Sequence, residues 1–236
     1  MERQNVIVPP EPAPFPPAKI WILGAGRFGR LAAQRLKKRL PESEILVVDR
    51  REDRIGEISA ATGISGVVDD ALGFLCANGT PDETWIVPAV PVHVAFEFAL
   101  SELKMSGDAI RLHVPEAVDS QAPNPQRVPS GTVYTSFATF ICPDFCSEPE
   151  EICTFTGKGR LGVLFDLLGK LHVPGHSVAT IRSFQLAPGV GGYPGSSLKE
   201  LVSRITRKPG DYTIATACRC HGVIDALRNR GRTSAF

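Results

Sequence analysis

Two sets of residues in this chain have types and spacings that can do chemistry. The first is Gly24-Ala25-Gly26-Arg27-Phe28-Gly29, a G-x-G-x-x-G run set directly after the apolar stretch from Ile20 to Leu23. A glycine at 24 permits a tight turn, and one at 26 leaves the backbone bare enough for a pyrophosphate to approach. A glycine at 29 lets the following helix pack closely on a sheet. The start of that helix turns unpaired N–H groups and a positive dipole end toward the phosphates. A second apolar stretch, Glu44 to Val48, ends in Asp49, close to the usual offset of ~20 residues from such a motif. A carboxylate there accepts hydrogen bonds from an adenosine ribose and repels a 2′-phosphate, which favours NAD. Arg50 and Arg51 follow at once and keep NADP open, since a guanidinium at that point stacks on adenine or holds a 2′-phosphate.

The second set is made of sulfur. Cys142 and Cys146 bracket Pro143-Asp144-Phe145, Cys153 follows, and Cys218-Arg219-Cys220-His221 lies far downstream. Thiolates close together repel one another unless a metal or cation compensates, and a metal needs its ligands deprotonated and convergent. On an extended strand Cys142 and Cys146 would lie roughly 13 Å apart, too far to share an ion. A proline-containing turn would bring them round it. The candidate ligands are therefore Cys142, Cys146, Cys153, Cys218, Cys220 and His221. Their spacing lacks the paired C-x-x-C of zinc ribbons and the common ferredoxin runs, while Cys followed by Pro is a familiar companion of iron–sulfur ligands. Five thiolates exceed the donors of one tetrahedral zinc, which leans toward an iron–sulfur centre. Zinc, redox-active thiols and unrelated structural cysteines stay open. Cys76 stands apart and reads as a small buried apolar residue.

Both sets need elements to hold them. The spacing of Phe28, Leu31, Ala32, Leu36 and Leu40 predicts an amphipathic helix after the glycine run. Arg30, Arg35, Lys37, Lys38 and Arg39 form its solvated face, and Pro41 stops it. A helix over 51–61, strands over 65–68 and 84–88, a helix over 92–104 and a strand over 109–114 continue the alternation. That pattern predicts a doubly wound parallel sheet of Rossmann type. Pro, Gln and Ser crowd the stretch up to Ser130, the expected boundary. Beyond it the chain reads as a strand over 132–141, a helix over 160–171, a strand over 178–186, the Gly-rich loop from Ala187 to Gly195, a helix over 197–206, a strand over 211–217 and a helix over 221–230. The Gly-rich loop either wraps a ligand with its amides or merely connects. His93 follows the strand over 84–88, where such sheets bind ligands. It either faces a nicotinamide as acid or base or simply starts a helix. Glu148, Glu150 and Glu151 read as a solvated charge run.

Gly24 to Gly29, Val47-Val48-Asp49 with Arg54 five positions on, and Val67-Val68-Asp69-Asp70-Ala71 resemble the nucleotide-binding domain of bacterial potassium-uptake regulators. The resemblance covers about residues 19 to 115. It implies a Rossmann fold that binds NAD or a related adenine nucleotide, with Arg27 near the phosphates, Asp49 on the ribose and Asp70 near the adenine.

The chain has 236 residues and a net charge of +1, enough length for a sizeable core and no bulk field toward nucleic acid or an anionic membrane. No apolar run reaches the ~20 residues of a membrane helix, and residues 1–17 are proline-rich without the apolar centre of a secretory signal. A cytoplasmic protein with no nucleic-acid partner and no membrane insertion is expected. The expected architecture is α/β. A flexible N-terminus (1–17) leads into a Rossmann-like dinucleotide-binding domain (18–130), then a smaller α/β domain with the cysteine cluster (131–236). The expected function is NAD(P) binding coupled to a metal or iron–sulfur centre, in a redox- or nucleotide-sensing regulator with a protein partner or a second copy. The alternatives are an NAD(P)-dependent oxidoreductase with Cys220 and His221 as reactive groups, and a nucleotide-binding protein with a structural zinc. No nucleophile elbow, phosphate-binding Lys loop or H-E-x-x-H stretch is present, and no catalytic residue is assigned.

Overall fold

The computed structural model describes residues 5–7 and 15–231; most of the expected flexible lead-in over 1–17 lies outside them. Within the stretch expected to be flexible, β1 (Val6–Ile7) is a buried strand that pairs in parallel with Thr180 and Ile181, because its two apolar side chains join the core. After it the chain alternates as expected: β2 (Lys19–Leu23), α1 (Arg27–Arg39), β3 (Glu44–Asp49), α2 (Glu52–Thr62), β4 (Ser65–Val68), α3 (Ala71–Asn78) and β5 (Thr84–Pro88). β2 lies parallel between β3 and β5, with Leu23 opposite both Val48 and Pro88, and β3 pairs in parallel with β4. Helices cover both faces of this sheet, so its central strands read as continuous apolar runs rather than as an alternation.

The sequence reading fails at the next strand. α4 (Val94–Ser106) follows as expected, but β6 (Ala109–Leu112) does not extend the parallel sheet. It pairs antiparallel with a strand from the end of the chain. The place beside β5 is taken by the hairpin β10 (Phe184–Ala187) and β11 (Val190–Pro194), which closes the first sheet in the order β10-β11-β5-β2-β3-β4. The Gly-rich stretch is therefore a hairpin and not a connection.

The second sheet is built from β1, β6, β7 (Gln126–Arg127), β8 (Val133–Ser136), β9 (His176–Arg182), β12 (Gly210–Ala217) and β13 (His221–Asn229). β13 occupies the stretch expected to be a helix. It pairs along its whole length with β12, and its other edge takes β8 and then β6. A strand covered on both faces carries no alternation to betray it. The strand expected over 132–141 stops at Ser136. The helix expected over 160–171 shrinks to α5 (Leu164–Gly169), because Pro143, Pro149, Gly157, Gly159 and Gly162 break up the chain between them.

The two sheets and their helices stack in five layers. α1 and α2 pack on one face of the first sheet through Ala32, Leu36, Ile55 and Ile58. α3, α4 and α6 (Gly195–Arg207) lie between the sheets, where Phe98, Leu103, Leu198 and Ile205 join Leu23 and Ile86 to Ile181, Ile214 and Leu227. α5 covers the outer face of the second sheet. Both regions of chemical interest lie at the ends of strands in this stack. Among the described residues no helix is long and apolar enough to cross a membrane.

Candidate functional site

The glycine loop has the geometry its spacing requires. Gly24 sits at φ +110°, donates to Val48 O at 2.7 Å, and lies beneath the loop after β5, where a Cβ would stand 2.7 Å from Ala89 O. A Cβ on Gly29 would overlap the Gly24 carbonyl. Gly26 differs from both: its position faces open space, and the nearest atom to an added Cβ is Arg54 Nη1 at 3.8 Å. No side chain caps the start of α1. Bare backbone, free N–H groups and a guanidinium therefore meet at one point, as an anion requires. Among the described residues Arg54 makes no ion pair, which separates it from its neighbours.

Asp49 closes the loop from the other side. Its Oδ2 accepts from Ala25 N at 2.6 Å and its Oδ1 from Arg51 N at 2.9 Å, which aims the carboxylate across the ends of β2 and β3. Arg50 pairs with Asp70 at 2.7 Å, and Arg51 pairs with Asp53 at 2.5 Å. The second oxygen of Asp70 caps α3 through Gly73 N at 2.7 Å. Both guanidiniums that kept a 2′-phosphate open are thus matched by carboxylates.

Arg27 already has a protein partner, and Phe28 departs from expectation. Arg27 donates to Asp144 Oδ2 at 3.1 Å, in the middle of the Cys142–Cys146 stretch. Phe28 is 60% exposed and lines a neighbouring cavity instead of joining the apolar face of α1. Arg35, expected on the solvated face, bonds the Asp144 and Pro188 carbonyls. The reason is tertiary: the β10–β11 turn and the Cys142–Cys146 turn both lie over that side of α1. Gly189 N donates to Cys146 O at 2.8 Å, and Gln185 Nε2 to the same oxygen at 2.6 Å. A Cβ on Gly189 would overlap Asp144 O, so the two turns touch backbone to backbone.

The cysteines come together. Cys142, Cys146, Cys153, Cys218, Cys220 and His221 all line one cavity of about 590 Å³. The β12–β13 turn docks onto the cysteine-bearing segment through Arg219, whose N–H bonds Glu148 at 2.5 Å and whose guanidinium pairs with Glu150. Glu148 is thus half-buried and acts as a pin, whereas Glu150 and Glu151 are exposed, as expected of a solvated run. Arg160 bonds the Cys220 sulfur and the Pro149 carbonyl. Burial pushes Cys142 and Cys220 up, with Arg160 opposing it at Cys220. Burial also pushes Cys218 up to about 12 and His221 down. Hydrogen bonds from Thr156 and Phe155 hold Cys153 below the usual thiol value. Among the described residues no group of three His, Cys, Asp or Glu side chains is set to hold one metal ion. The fold brings the six expected donors to one cavity without gathering them on a single point.

One constellation escaped the sequence reading. His93 precedes α4 and is buried; its Nδ1 lies 3.0 Å from Asp225 Oδ2 and its Nε2 2.8 Å from Thr216 Oγ1. Asp225 also binds Arg111 at 2.7 Å and Thr132 at 2.8 Å. The Asp225 carboxylate accepts from His93 Nδ1–H, and Nε2 bonds the Thr216 hydroxyl, which can donate or accept. Thr216 lines the cysteine cavity, so this chain of hydrogen bonds ends at its wall. No spacing links positions 93, 216 and 225; the single signal was a histidine at the end of a parallel strand.

Comparison with known proteins yields two family matches. Residues 94–230 match the family AF_1314_C, described as an uncharacterized protein, C-terminal domain, and residues 20–73 match the TrkA-N domain. The second match bears out the resemblance to potassium-uptake regulators. The chain is also 30% identical over 223 residues to an uncharacterized protein of Archaeoglobus fulgidus, covering 88% of this chain and 98% of that one. No solved structure matches.

Proposed function

The chain belongs to the AF_1314_C family, and on that premise we propose that it is a regulatory protein that binds NAD at the glycine loop and passes the bound state to a cysteine centre. The TrkA-N match supports dinucleotide binding and a regulatory role. The open space at Gly26 beside Arg54 is the place for the pyrophosphate, and Asp49 is the ribose acceptor. Pairing of Arg50 and Arg51 with carboxylates favours NAD over NADP.

The observation that carries the regulatory part is Asp144. It lies between Cys142 and Cys146 and binds Arg27, the first residue of α1. A phosphate arriving at that helix end competes with Asp144 for the same guanidinium. Nucleotide binding then loosens the turn that carries two of the cysteines. Calorimetry with NAD, NADH and NADP on the full chain tests the reading: NAD or NADH binds at least about tenfold more tightly than NADP, the discrimination of ~1.4 kcal/mol expected from one repelled phosphate. Equal affinities, or no binding, overturn it.

The hydrogen-bonded chain from Asp225 through His93 to Thr216 favours a second reading, an oxidoreductase that moves a proton at the cavity. NADH oxidation that needs His93 would replace the regulatory reading with this one.

A further inference from the structure

We infer that Cys142, Cys146, Cys153 and Cys220 form a four-thiolate site for an iron–sulfur cluster. The inference rests on the proposed cysteine centre and names its ligands and its occupant.

The fold goes to some length to assemble these four. Cys220 joins the other three only because the β12–β13 turn is tied down at several points. Phe137 N donates to Cys220 O at 3.0 Å, Leu164 N to Arg219 O at 2.9 Å, and Arg219 N to Glu148 at 2.5 Å. On the other side, Cys146 N closes a turn on Pro143 O at 3.1 Å, which brings Cys142 and Cys146 to the same cavity. Cys153 is set in its own tight turn, donating to Lys158 O and accepting from Gly157 N, both at 2.8 Å. Cys142 lies within electrostatic reach of Cys146, Cys153 and Cys220.

Hydrogen-bond donors reach two of the sulfurs. Glu148 N approaches Cys146 Sγ at 3.4 Å, and Phe155 and Thr156 bond Cys153. Hydrogen bonds to sulfur favour its charged form. Arg160 bonds Cys220 and sets one cation among the four. Cys218 is used within the turn itself: its sulfur accepts from Cys220 N and His221 N at 3.4 Å, and its N–H donates to His221 O at 2.9 Å.

The donor set selects the occupant. Among the described residues no three donors converge on a single ion, as one tetrahedral zinc would require. Four cysteines bordering one cavity are the kind of donor set that holds a polynuclear cluster. Each thiol releases its proton to solvent as its sulfur bonds iron.

The test is anaerobic reconstitution of the full chain with a mixture of ferrous and ferric iron and sulfide, followed by metal and sulfide analysis. The expected product is brown, absorbs near about 400 nm and contains iron and acid-labile sulfide in equal amount. Cys→Ser changes at 142, 146, 153 or 220 remove most of that absorbance, while Cys218→Ser and Cys76→Ser keep it. Circular dichroism of each variant without iron separates lost ligation from lost folding. A colourless protein with one zinc, absence of iron uptake, or loss with Cys218→Ser but not Cys220→Ser overturns the inference. NAD titration of the same samples keeps the two proposals apart: a cluster without NAD binding sinks only the nucleotide reading, and NAD binding without a cluster sinks only this one.

Discussion

The glycine loop and the cysteine segment are neighbours in space and opposites in construction. The loop is set by the backbone of one contiguous stretch: a strand end, a left-handed glycine, a helix start and a carboxylate one strand away. Its contacts are short-range and mostly main chain. The cysteine segment has almost no regular structure between Ser136 and Leu164. It is held by side chains that arrive from far along the chain, Arg35 and Gln185 on one side and Arg219 on the other. A site of the first kind is sensitive at its glycines and at the Asp49 carboxylate that closes it. A site of the second kind is sensitive at its pins, which carry no chemistry of their own.

Substitutions can break or sharpen that contrast. The largest effect is expected at Asp225, buried with His93, Arg111 and Thr132. Asp225→Ala leaves buried partners uncompensated and should cost ~3–5 kcal/mol in urea unfolding. A loss below ~1 kcal/mol would mean that the network does not hold the second sheet to α4. Next come the glycines. Gly24→Ala meets Ala89 at a positive φ and should cost about 2–3 kcal/mol. Gly26→Val, at the N-cap of α1, should cost ~1 kcal/mol or less and still abolish NAD binding in calorimetry. Equal destabilisation by the two would show that Gly26 is structural.

Asp144→Asn removes the charge that holds Arg27 and Arg35. The pair is partly exposed, so stability should fall by ~1 kcal/mol or less. Affinity for NAD should rise a few-fold, and alkylation of Cys142 and Cys146 should quicken; unchanged affinity would disconnect the two regions. The smallest effect belongs to Asp211, whose carboxyl the Arg228 guanidinium holds below its usual value of 3.8. A lowered value means that the contribution is present above pH 3.8 and lost as pH falls through the folded-state value. Asp211→Asn should therefore weaken the protein slightly at pH 7 and make no difference in strong acid, read by thermal melts across pH.

Strands β2, β3 and β4 and helices α1 and α2 were legible because each is encoded locally. Apolar runs bounded by Gly24 and Asp49 mark strands buried on both faces, and Leu36 and Ile58 fall on helical faces that meet them. The candidate residues of the glycine loop were likewise legible, since the conformations they need are properties of glycine itself. β13 was misread because a strand with partners on both edges and cover on both faces shows no period. Phe28 and Arg35 were misplaced because their surroundings come from residues more than a hundred positions away.

The amino-acid sequence alone determined that this chain would build a parallel βα unit with a glycine turn at its helix start, and which residues could carry sulfur chemistry. Only the tertiary structure decided that β6 and the β10–β11 hairpin exchange places between sheets, that the cysteines share one cavity, and that Asp144 joins it to the helix start beside the glycine loop. The physical reason is range. Turn geometry and helix faces are fixed by neighbours a few residues apart, whereas a cavity exists only once distant strands have paired and brought their ends together.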